Sequence, residues 1–233
     1  MNRDFGKELA KTGLELGSIR LSPGHPFLWA SGYYMPIYND NRMLLGSPEL
    51  RRLVAEGFAS LLRRGEIEAE VIAGTATAGI PHATTLSDLL GLPLTYVRNK
   101  PKEHGLQNQI EGLNADGGYG GRRVILIEDL ISTGGSSINA VEAIRRAGGV
   151  VDYCLSIFDY GLEESKRNFA ALSPQCRSLS VLTYDTLLET AREEGYITIR
   201  EEESLIKWRR DPFGWQEKMG FATLDRENAG AVS

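Results

Sequence analysis

The stretch that decides the fold is residues 124–137, Val-Ile-Leu-Ile-Glu-Asp-Leu-Ile-Ser-Thr-Gly-Gly-Ser-Ser. Its four branched apolar residues predict a buried parallel strand that stops at two adjacent carboxylates, Glu128 and Asp129. Small residues then predict a turn at 132–136, and apolar residues at helical spacing predict a helix that ends at Gly148. A strand, a turn and a helix in this order place backbone amides and a helix N-terminus where they can bind a phosphate.

The two carboxylates indicate which phosphate ligand fits the turn. A P-loop would carry a lysine, and a dinucleotide site would carry Gly-x-Gly-x-x-Gly directly after the strand; this turn has neither. Acids beside a phosphate repel it unless they face other groups, such as sugar hydroxyls. A 5-phosphoribosyl group fits both parts, with its phosphate on the turn, where the hydroxyls at 132, 133, 136 and 137 add donors, and its 2- and 3-hydroxyls on Glu128 and Asp129. The alternative is an ordinary strand, turn and helix with a solvated acidic corner.

The same stretch resembles the signature of the type I phosphoribosyltransferases, a hydrophobic strand, two acids, two apolar residues and a loop rich in Ser, Thr and Gly. Three further segments resemble the orotate-side, diphosphate-side and catalytic-loop segments of the orotate phosphoribosyltransferases, in that family's order. They are 27–32 with 35–42 (Phe-Leu-Trp-Ala-Ser-Gly and Met-Pro-Ile-Tyr-Asn-Asp-Asn-Arg), 73–81 (Ala-Gly-Thr-Ala-Thr-Ala-Gly-Ile-Pro) and 96–105 (Tyr-Val-Arg-Asn-Lys-Pro-Lys-Glu-His-Gly).

This resemblance implies transfer of the 5-phosphoribosyl group from phosphoribosyl diphosphate to N1 of orotate. The products would be orotidine 5'-monophosphate and diphosphate, in the biosynthesis of UMP. The resemblance also implies Mg²⁺ as cofactor, bridging diphosphate and ribose oxygens without a direct protein ligand, and a homodimer in which the catalytic loop of one subunit completes the site of its partner.

The resemblance implies a set of site residues. Lys102 and Asp129 are the expected catalytic residues, and Ser132 is expected to contact orotate. The residues expected to bind phosphoribosyl diphosphate are Arg98, Lys102, His104, Glu128, Asp129, Leu130, Ile131, Ser132, Thr133, Gly134, Gly135 and Ser136.

A loop is predicted from residue 99 to residue 121, which is long for a compact domain. It carries six glycines, and its first third concentrates Lys100, Lys102 and His104 against a single acid, Glu103. A disordered connection is one interpretation. A basic lid with glycine hinges over a polyanionic substrate is the interpretation that the charges favour.

Composition narrows the class of protein. A formal net charge of −5 argues against nucleic acid as the main partner. No apolar run is long enough for a membrane span and the N-terminus resembles no signal peptide, so a cytoplasmic protein with no membrane partner is expected. Two cysteines are too few for a zinc site, and Cys154 lies in an apolar strand pattern that predicts a buried thiol.

Alternating strand and helix patterns predict an α/β fold, a central parallel sheet flanked by helices, as a single domain over residues 1–233. A small hood is expected from about 1–45 and 184–220, around a core at 46–183. Helices are predicted at 4–16, 47–64, 79–90, 162–171, 184–194 and 200–209, and the further strands at 26–30, 33–39, 71–73, 94–97, 150–158 and 178–182.

Some positions depart from relatives within the family. Ala30, Ala78 and Asn99 replace basic residues, and Tyr160 replaces an arginine that binds the orotate carboxylate; backbone amides near Ser31 and Tyr33–Met35, with Ser132, are the candidates for that role. His82 is interpreted as a first-turn helix residue, and Trp29, Trp208 and Trp215 as packing groups.

Two rival functions remain open. One is a purine-base phosphoribosyltransferase, which would share the Glu-Asp signature but not the N-terminal segment. The other is a non-catalytic regulator on the same fold, which would add a basic face for nucleic acid. The acidic balance of the chain and the presence of Lys102 and His104 favour the enzyme.

Overall fold

The computed structural model of the protein describes residues 3–29, 32–99, 109–113 and 117–221. Its strands are Ile19–Leu21 (β1), Phe27–Leu28 (β2), Tyr34–Met35 (β3), Ile37–Asn39 (β4), Val71–Thr75 (β5), Leu94–Val97 (β6), Ile110–Glu111 (β7), Arg123–Ile131 (β8), Val150–Asp159 (β9) and Arg177–Thr183 (β10). Its helices are Phe5–Leu16 (α1), Pro48–Arg64 (α2), Gly79–Leu90 (α3), Gly135–Arg146 (α4), Glu163–Ala170 (α5), Tyr184–Glu193 (α6), Ile199–Arg210 (α7) and Trp215–Lys218 (α8), with a 3-10 helix at Asn41–Gly46.

The central sheet has the strand order β10-β9-β8-β5-β6-β7. Neighbouring strands are parallel, except that β7 runs antiparallel to β6. Two small antiparallel pairs, β1 with β4 and β2 with β3, lie outside this sheet. The predicted α/β fold with a central parallel sheet flanked by helices is therefore confirmed.

Each face of the sheet carries its own hydrophobic core. The side chains of Ile125 and Ile127 join a core that includes residues of α1, α2 and α3, whereas Val124 and Leu126 join a second core with α4. This alternation follows from the period of two along a strand, and burial on both faces explains the continuous apolar run. Cys154 is fully buried in the second core, as predicted.

Helix starts agree with the sequence where a capping residue is present. Ser47 caps α2 by accepting a hydrogen bond from the backbone N–H of Leu50, and Pro48 is the first helical residue. Thr198 and Glu201 form a capping box at α7. No helix among the described residues is long and apolar enough to cross a membrane.

Three predictions about elements are wrong. Strand β8 does not stop at the two carboxylates, because it pairs with β9 as far as Ile131 opposite Asp159. The predicted strand 33–39 is two strands on either side of Pro36, whose nitrogen has no hydrogen to donate. The loop predicted over 99–121 contains β7, and the side chains of Ile110 and Tyr119 are buried in the second core. The division into hood and core stays a prediction.

Candidate active site

The signature turn lies beside the diphosphate-side segment at one edge of the sheet. Strands β5 and β8 are parallel neighbours, with Gly74 opposite Ile127, so their carboxyl ends emerge together. Helix α3 begins at Gly79, next to the ends of these two strands. A Cβ atom on Gly79 would lie 2.5 Å from the Ile127 carbonyl oxygen and 2.5 Å from the Thr75 Oγ1 atom. Only glycine allows the two segments to approach so closely.

Glu128 is buried, and both of its carboxylate oxygens accept hydrogen bonds from this chain. Its Oε1 atom accepts from the Thr75 hydroxyl at 2.6 Å and from the Asp129 N–H at 3.1 Å. Its Oε2 atom accepts from the hydroxyls of Ser136 at 3.2 Å and Ser137 at 3.1 Å. Both serine hydroxyls lie within hydrogen-bond distance of Glu128, and their role as phosphate donors stays a prediction.

Asp129 has a different environment from its neighbour. Its side chain is half-buried, and its backbone carbonyl accepts a hydrogen bond from Asn41 Nδ2 at 2.8 Å. Burial raises the pKa of the Asp129 carboxyl well above its usual range, and the hydrogen bond and negative charge of Glu128 raise it further. The positive charge of Arg42 interacts electrostatically with Asp129.

The turn between β8 and α4 presents a helix N-terminus without a side-chain cap. Gly134, the N-cap residue of α4, has a φ of +84° and makes no side-chain capping hydrogen bond, whereas α1, α2, α6 and α7 are each capped by a side chain. Ser132 and Thr133 are half-buried, and Gly135 and Ser136 are exposed. An uncapped helix start with exposed small residues is suited to an anionic ligand.

Two of the predicted ligand residues lie at the end of the strand. The Ile131 side chain is buried in the second core, and its carbonyl oxygen accepts a hydrogen bond from the Tyr160 N–H. The Leu130 side chain packs against the first core. Because both side chains pack in the cores, a contact with substrate would involve the backbone groups of these residues, and it stays a prediction.

The predicted catalytic loop emerges from the hairpin of β6 and β7. Arg98 donates its backbone N–H to the Gln109 carbonyl oxygen, and the Arg98 guanidinium lies 3.4 Å from Glu111. Lys100, Lys102 and His104 lie outside the described residues. The structure therefore places the base of the loop next to β5, the strand that ends at the diphosphate-side segment.

Aromatic side chains surround Tyr160, the residue that we interpret as replacing an arginine of relatives. The Tyr160 side chain is fully buried against Trp29, Phe158, Tyr184 and Trp208. It is therefore a packing residue, and the three tryptophans are packing groups as predicted. Of the backbone amides proposed for the orotate carboxylate, that of Tyr34 donates to Gln216 Oε1 at 2.8 Å, and Ser31 lies outside the described residues.

His82 lies in the first turns of α3, as predicted, and is fully buried. Neither of its ring nitrogens has a hydrogen-bond partner within the described chain. Burial lowers the pKa of His82 to about 4, so the imidazole is neutral at pH 7. A buried neutral ring of this kind supports packing.

The described residues contain no group of three or more His, Cys, Asp or Glu side chains arranged to hold a metal ion. Asp129 is the half-buried carboxylate beside the turn. A divalent cation at this site would draw its ligands from the substrate and from water, as Mg²⁺ commonly does with phosphate substrates.

Comparison with known proteins decides the family. The model of the phosphoribosyl transferase domain family matches residues 41–169. The orotate phosphoribosyltransferase of Listeria monocytogenes serotype 4b (strain F2365) is 47% identical over 210 residues, covering 90% of this chain and 97% of the relative. The chain belongs to the orotate phosphoribosyltransferase family. The enzyme of the same name from Lactococcus lactis subsp. lactis (strain IL1403) is 45% identical over 212 residues, covering 91% and 99%. The solved orotate phosphoribosyltransferase of Aeropyrum pernix superposes with a TM-score of 0.67 at 29% identity, covering 82% of this chain and 99% of the other.

Three side chains that organise this orotate phosphoribosyltransferase site have no chemical signature in the sequence. The Thr75 hydroxyl donates a hydrogen bond to Glu128, and Asn41 donates one to the carbonyl oxygen of Asp129. Asn168 Nδ2 donates a hydrogen bond to the carbonyl oxygen of Thr133 at 2.9 Å. Thr75 and Asn41 do fall within the quoted family segments, which is the signal that could have found them. Asn168 lies in α5, 35 residues after its partner, and no spacing rule connects the two.

Proposed function

We propose that this chain catalyses the transfer of the 5-phosphoribosyl group from phosphoribosyl diphosphate to N1 of orotate. Orotidine 5'-monophosphate and diphosphate are the products, and the step belongs to the biosynthesis of UMP. The observation that carries the proposal is the pairing of a half-buried carboxylate, Asp129, with an uncapped helix N-terminus in a chain of this family.

Bond changes at C1 of the ribose define what the residues must do. The bond between C1 and the diphosphate oxygen breaks with its electron pair leaving on diphosphate. N1 of orotate forms the new bond to C1 with its own electron pair and gives up its proton to water or to the departing diphosphate. The sugar passes through an oxocarbenium-like state, by analogy with other glycosyl transfers. Asp129 stabilises positive charge at the ribose and accepts hydrogen bonds from its hydroxyls. The amides at residues 132–136 bind the 5-phosphate.

Cationic side chains stabilise the leaving group. Arg98 lies at the base of the loop, and Lys102 and His104 follow in the loop sequence. Charge that develops on diphosphate is best stabilised in a closed site from which water is excluded. Lys102 is proposed as the catalytic cation, and Arg98 and His104 as further diphosphate ligands.

Mg²⁺ is the proposed cofactor, and it would be bound mainly through the substrates, with Asp129 as the half-buried carboxylate beside the turn. When bound, Mg²⁺ neutralises charge on the diphosphate and so makes it a better leaving group. We further propose a cytoplasmic homodimer in which the loop of each subunit closes over the site of its partner.

An absorbance assay tests the activity. Purified protein with Mg²⁺, phosphoribosyl diphosphate and orotate should consume orotate absorbance and release one diphosphate per orotate. Uracil should replace orotate poorly, because it lacks the carboxylate. Turnover of a purine base with no change in orotate would contradict the proposal.

A further inference from the structure

Helix α5 lies behind the turn that leads into α4. Asn168 of this helix donates a hydrogen bond from Nδ2 to the Thr133 carbonyl oxygen at 2.9 Å. A Cβ atom on Gly134 would lie 3.0 Å from the Phe169 ring and 3.4 Å from the Ser165 hydroxyl oxygen. These three residues of α5 have the spacing of one helix face, so a single face of α5 supports the turn.

The hydrogen bond from Asn168 determines which way the next backbone N–H points. The peptide bond between Thr133 and Gly134 is trans, and in a planar trans peptide group the C=O and N–H bonds point in opposite directions. Because the Thr133 carbonyl points toward α5, the Gly134 N–H points away from α5. No backbone acceptor for this N–H is found in the described part of the chain, so it can donate to a ligand of the turn.

A glycine at position 134 allows two directions of this peptide group. Rotation of the group as a unit changes ψ of residue 133 and φ of residue 134, and glycine accepts both signs of φ. Gly134 has a φ of +84°. The reversed peptide group would present the Thr133 carbonyl oxygen to the ligand, and its partial negative charge would repel a phosphate. Asn168 favours the direction in which the N–H faces the ligand, because its amide binds the carbonyl oxygen on the opposite side.

We propose that Asn168 is a positioning residue for phosphoribosyl diphosphate: by holding the Thr133 carbonyl oxygen against α5, it directs the Gly134 N–H to the 5-phosphate. The inference rests on the proposed function, in which the amides at residues 132–136 bind that phosphate. Asn168 acts through the peptide group and does not itself touch the ligand. Its loss should therefore weaken the binding of ligands that carry a 5-phosphate and leave orotate largely unaffected.

Selective isotope labelling allows the Gly134 N–H to be observed directly by NMR. The sequence contains two threonine–glycine pairs, Thr12-Gly13 and Thr133-Gly134. With carbonyl-¹³C threonine and ¹⁵N glycine, a carbonyl–amide correlation spectrum contains only these two signals, and Thr12→Ser removes the first and so assigns both. Ribose 5-phosphate should shift the Gly134 proton of the wild type downfield, because a charged oxygen forms a short, strong hydrogen bond. The signal of Gly13, which lies within α1, should not move.

Calorimetry measures the consequence for affinity. Asn168→Leu and Asn168→Ala both remove the amide. Each variant should bind ribose 5-phosphate and phosphoribosyl diphosphate about tenfold more weakly, the loss expected for one hydrogen bond to a charged group. In both variants the Gly134 signal should no longer respond to ribose 5-phosphate. The KM for orotate should stay within about twofold of the wild type, because the orotate contacts are unchanged.

A matched variant separates positioning from general damage. Asn139→Leu makes the same change at an exposed position of α4 and should bind ribose 5-phosphate as the wild type does. If one of the two Asn168 variants fails to fold, the other decides, because the same loss is expected from both.

Two results in the variants would overturn the inference. Wild-type affinity for ribose 5-phosphate in the Asn168 variants would mean that the Thr133 carbonyl needs no such support. Weaker binding with a Gly134 signal that still responds to ribose 5-phosphate would mean that Asn168 does not act through this peptide group.

The wild type separates this inference from the proposed function. Turnover of orotate without any response of Gly134 to ribose 5-phosphate would refute the inference and leave the function standing. A Gly134 signal that responds, in a protein that leaves orotate unchanged, would refute the proposed nucleobase and support the role of this N–H.

Discussion

Asp129 and Glu128 are adjacent in the sequence but differ in burial and in hydrogen-bond partners. Glu128 accepts four internal hydrogen bonds, whereas Asp129 is half-buried beside the turn and has its pKa raised by burial and by Glu128. A substrate that brings a divalent cation and a developing positive charge would favour the ionised form of Asp129. Asp129 therefore stays our proposed catalytic carboxylate.

Replacement of Asp129 by Asn should leave the fold intact and lower turnover on the order of a hundredfold, because it removes charge that stabilises the transition state. Steady-state kinetics with orotate and circular dichroism would measure both effects. Asp152→Asn, at an exposed position of β9, is the matched control and should be active. An unchanged rate in Asp129→Asn, or its failure to fold, would remove Asp129 from the mechanism.

His82 should make the protein sensitive to acid. Its folded pKa of about 4 lies below the ordinary value of 6.5, so protonation favours the unfolded state. Its contribution to stability is therefore present above pH 6.5 and is lost as the pH falls through 4, amounting to ~3 kcal/mol for a shift of this size. Denaturant unfolding between pH 7 and pH 4 should show a smaller decline for His82→Leu than for the wild type.

His25→Gln, at an exposed position in a turn, is the control and should decline as the wild type does. A His82→Leu variant whose free energy of unfolding falls as steeply as that of the wild type would show that this ring does not control acid stability.

At the residue scale, the sequence predicted which residues form the site better than it predicted which residues they contact. Asp129 and the small residues of the turn are found together, because a strand followed by a glycine-rich turn fixes their positions locally. The partners of Glu128 were not predicted, since Thr75 lies 53 residues earlier and meets it only through the pairing of β5 with β8. A hydroxyl in a sequence does not reveal which acceptor it faces.

The turn before α4 depends on one glycine more than on the others. Gly134 has a φ of +84°, and a Cβ atom there would lie 3.0 Å from the Phe169 ring. A branched residue at this position would strain the backbone and shift the turn away from α5.

Gly134→Val should therefore abolish detectable binding of phosphoribosyl diphosphate in calorimetry. Gly17→Val is the matched control, because Gly17 also has a positive φ, of 73°, at the end of α1 but has open space around it. It should cost stability and keep binding. Tight binding by Gly134→Val would show that this turn is not the phosphate site.

At the element scale, elements with strong apolar patterns were predicted, and two short strands were not. Helices α2 and α3 and the strands β6 and β9 agree closely, because each has an amphipathic or continuous apolar pattern with clear boundaries. The strands that were not predicted, β1 and β7, have three and two residues, and each pairs with an antiparallel partner strand. Tertiary pairing of this kind leaves little trace in the local sequence.

At the scale of the whole molecule, the N-terminal and C-terminal segments pack together near the orotate-side segment. Trp208 of α7 donates its indole N–H to the Met35 sulfur at 3.0 Å, and Gln216 of α8 accepts from the Tyr34 N–H. The sequence predicted a hood formed by both segments, which stays a prediction. It could not show that Trp29 and Trp208 pack against Tyr160, because contacts between residues so far apart in the chain depend on the complete fold.

Subunit mixing tests whether two chains share a site. Lys102→Ala should lower the catalytic rate more than it weakens binding, because its charge matters most as diphosphate leaves. When Lys102→Ala and Asp129→Asn proteins exchange subunits in equal amounts, half of the dimers are mixed and each has one intact site. Activity should then rise to about a quarter of the wild type.

A second mixture provides the control. Wild type mixed with the Lys102→Ala/Asp129→Asn double variant should fall from about a half to about a quarter of the wild-type activity as subunits exchange, because each mixed dimer has two broken sites. Activity that stays unchanged in both mixtures, despite verified exchange, would mean that each subunit uses its own loop.

A crystal structure with Mg²⁺ and phosphoribosyl diphosphate, without orotate, tests the central claim most directly. The account predicts the 5-phosphate on the amides of residues 132–136, the diphosphate beside residues 76–79, and the Asp129 carboxylate on the ribose hydroxyls. A 5-phosphate bound away from the turn between β8 and α4, or an Asp129 carboxylate that faces solvent, would contradict it.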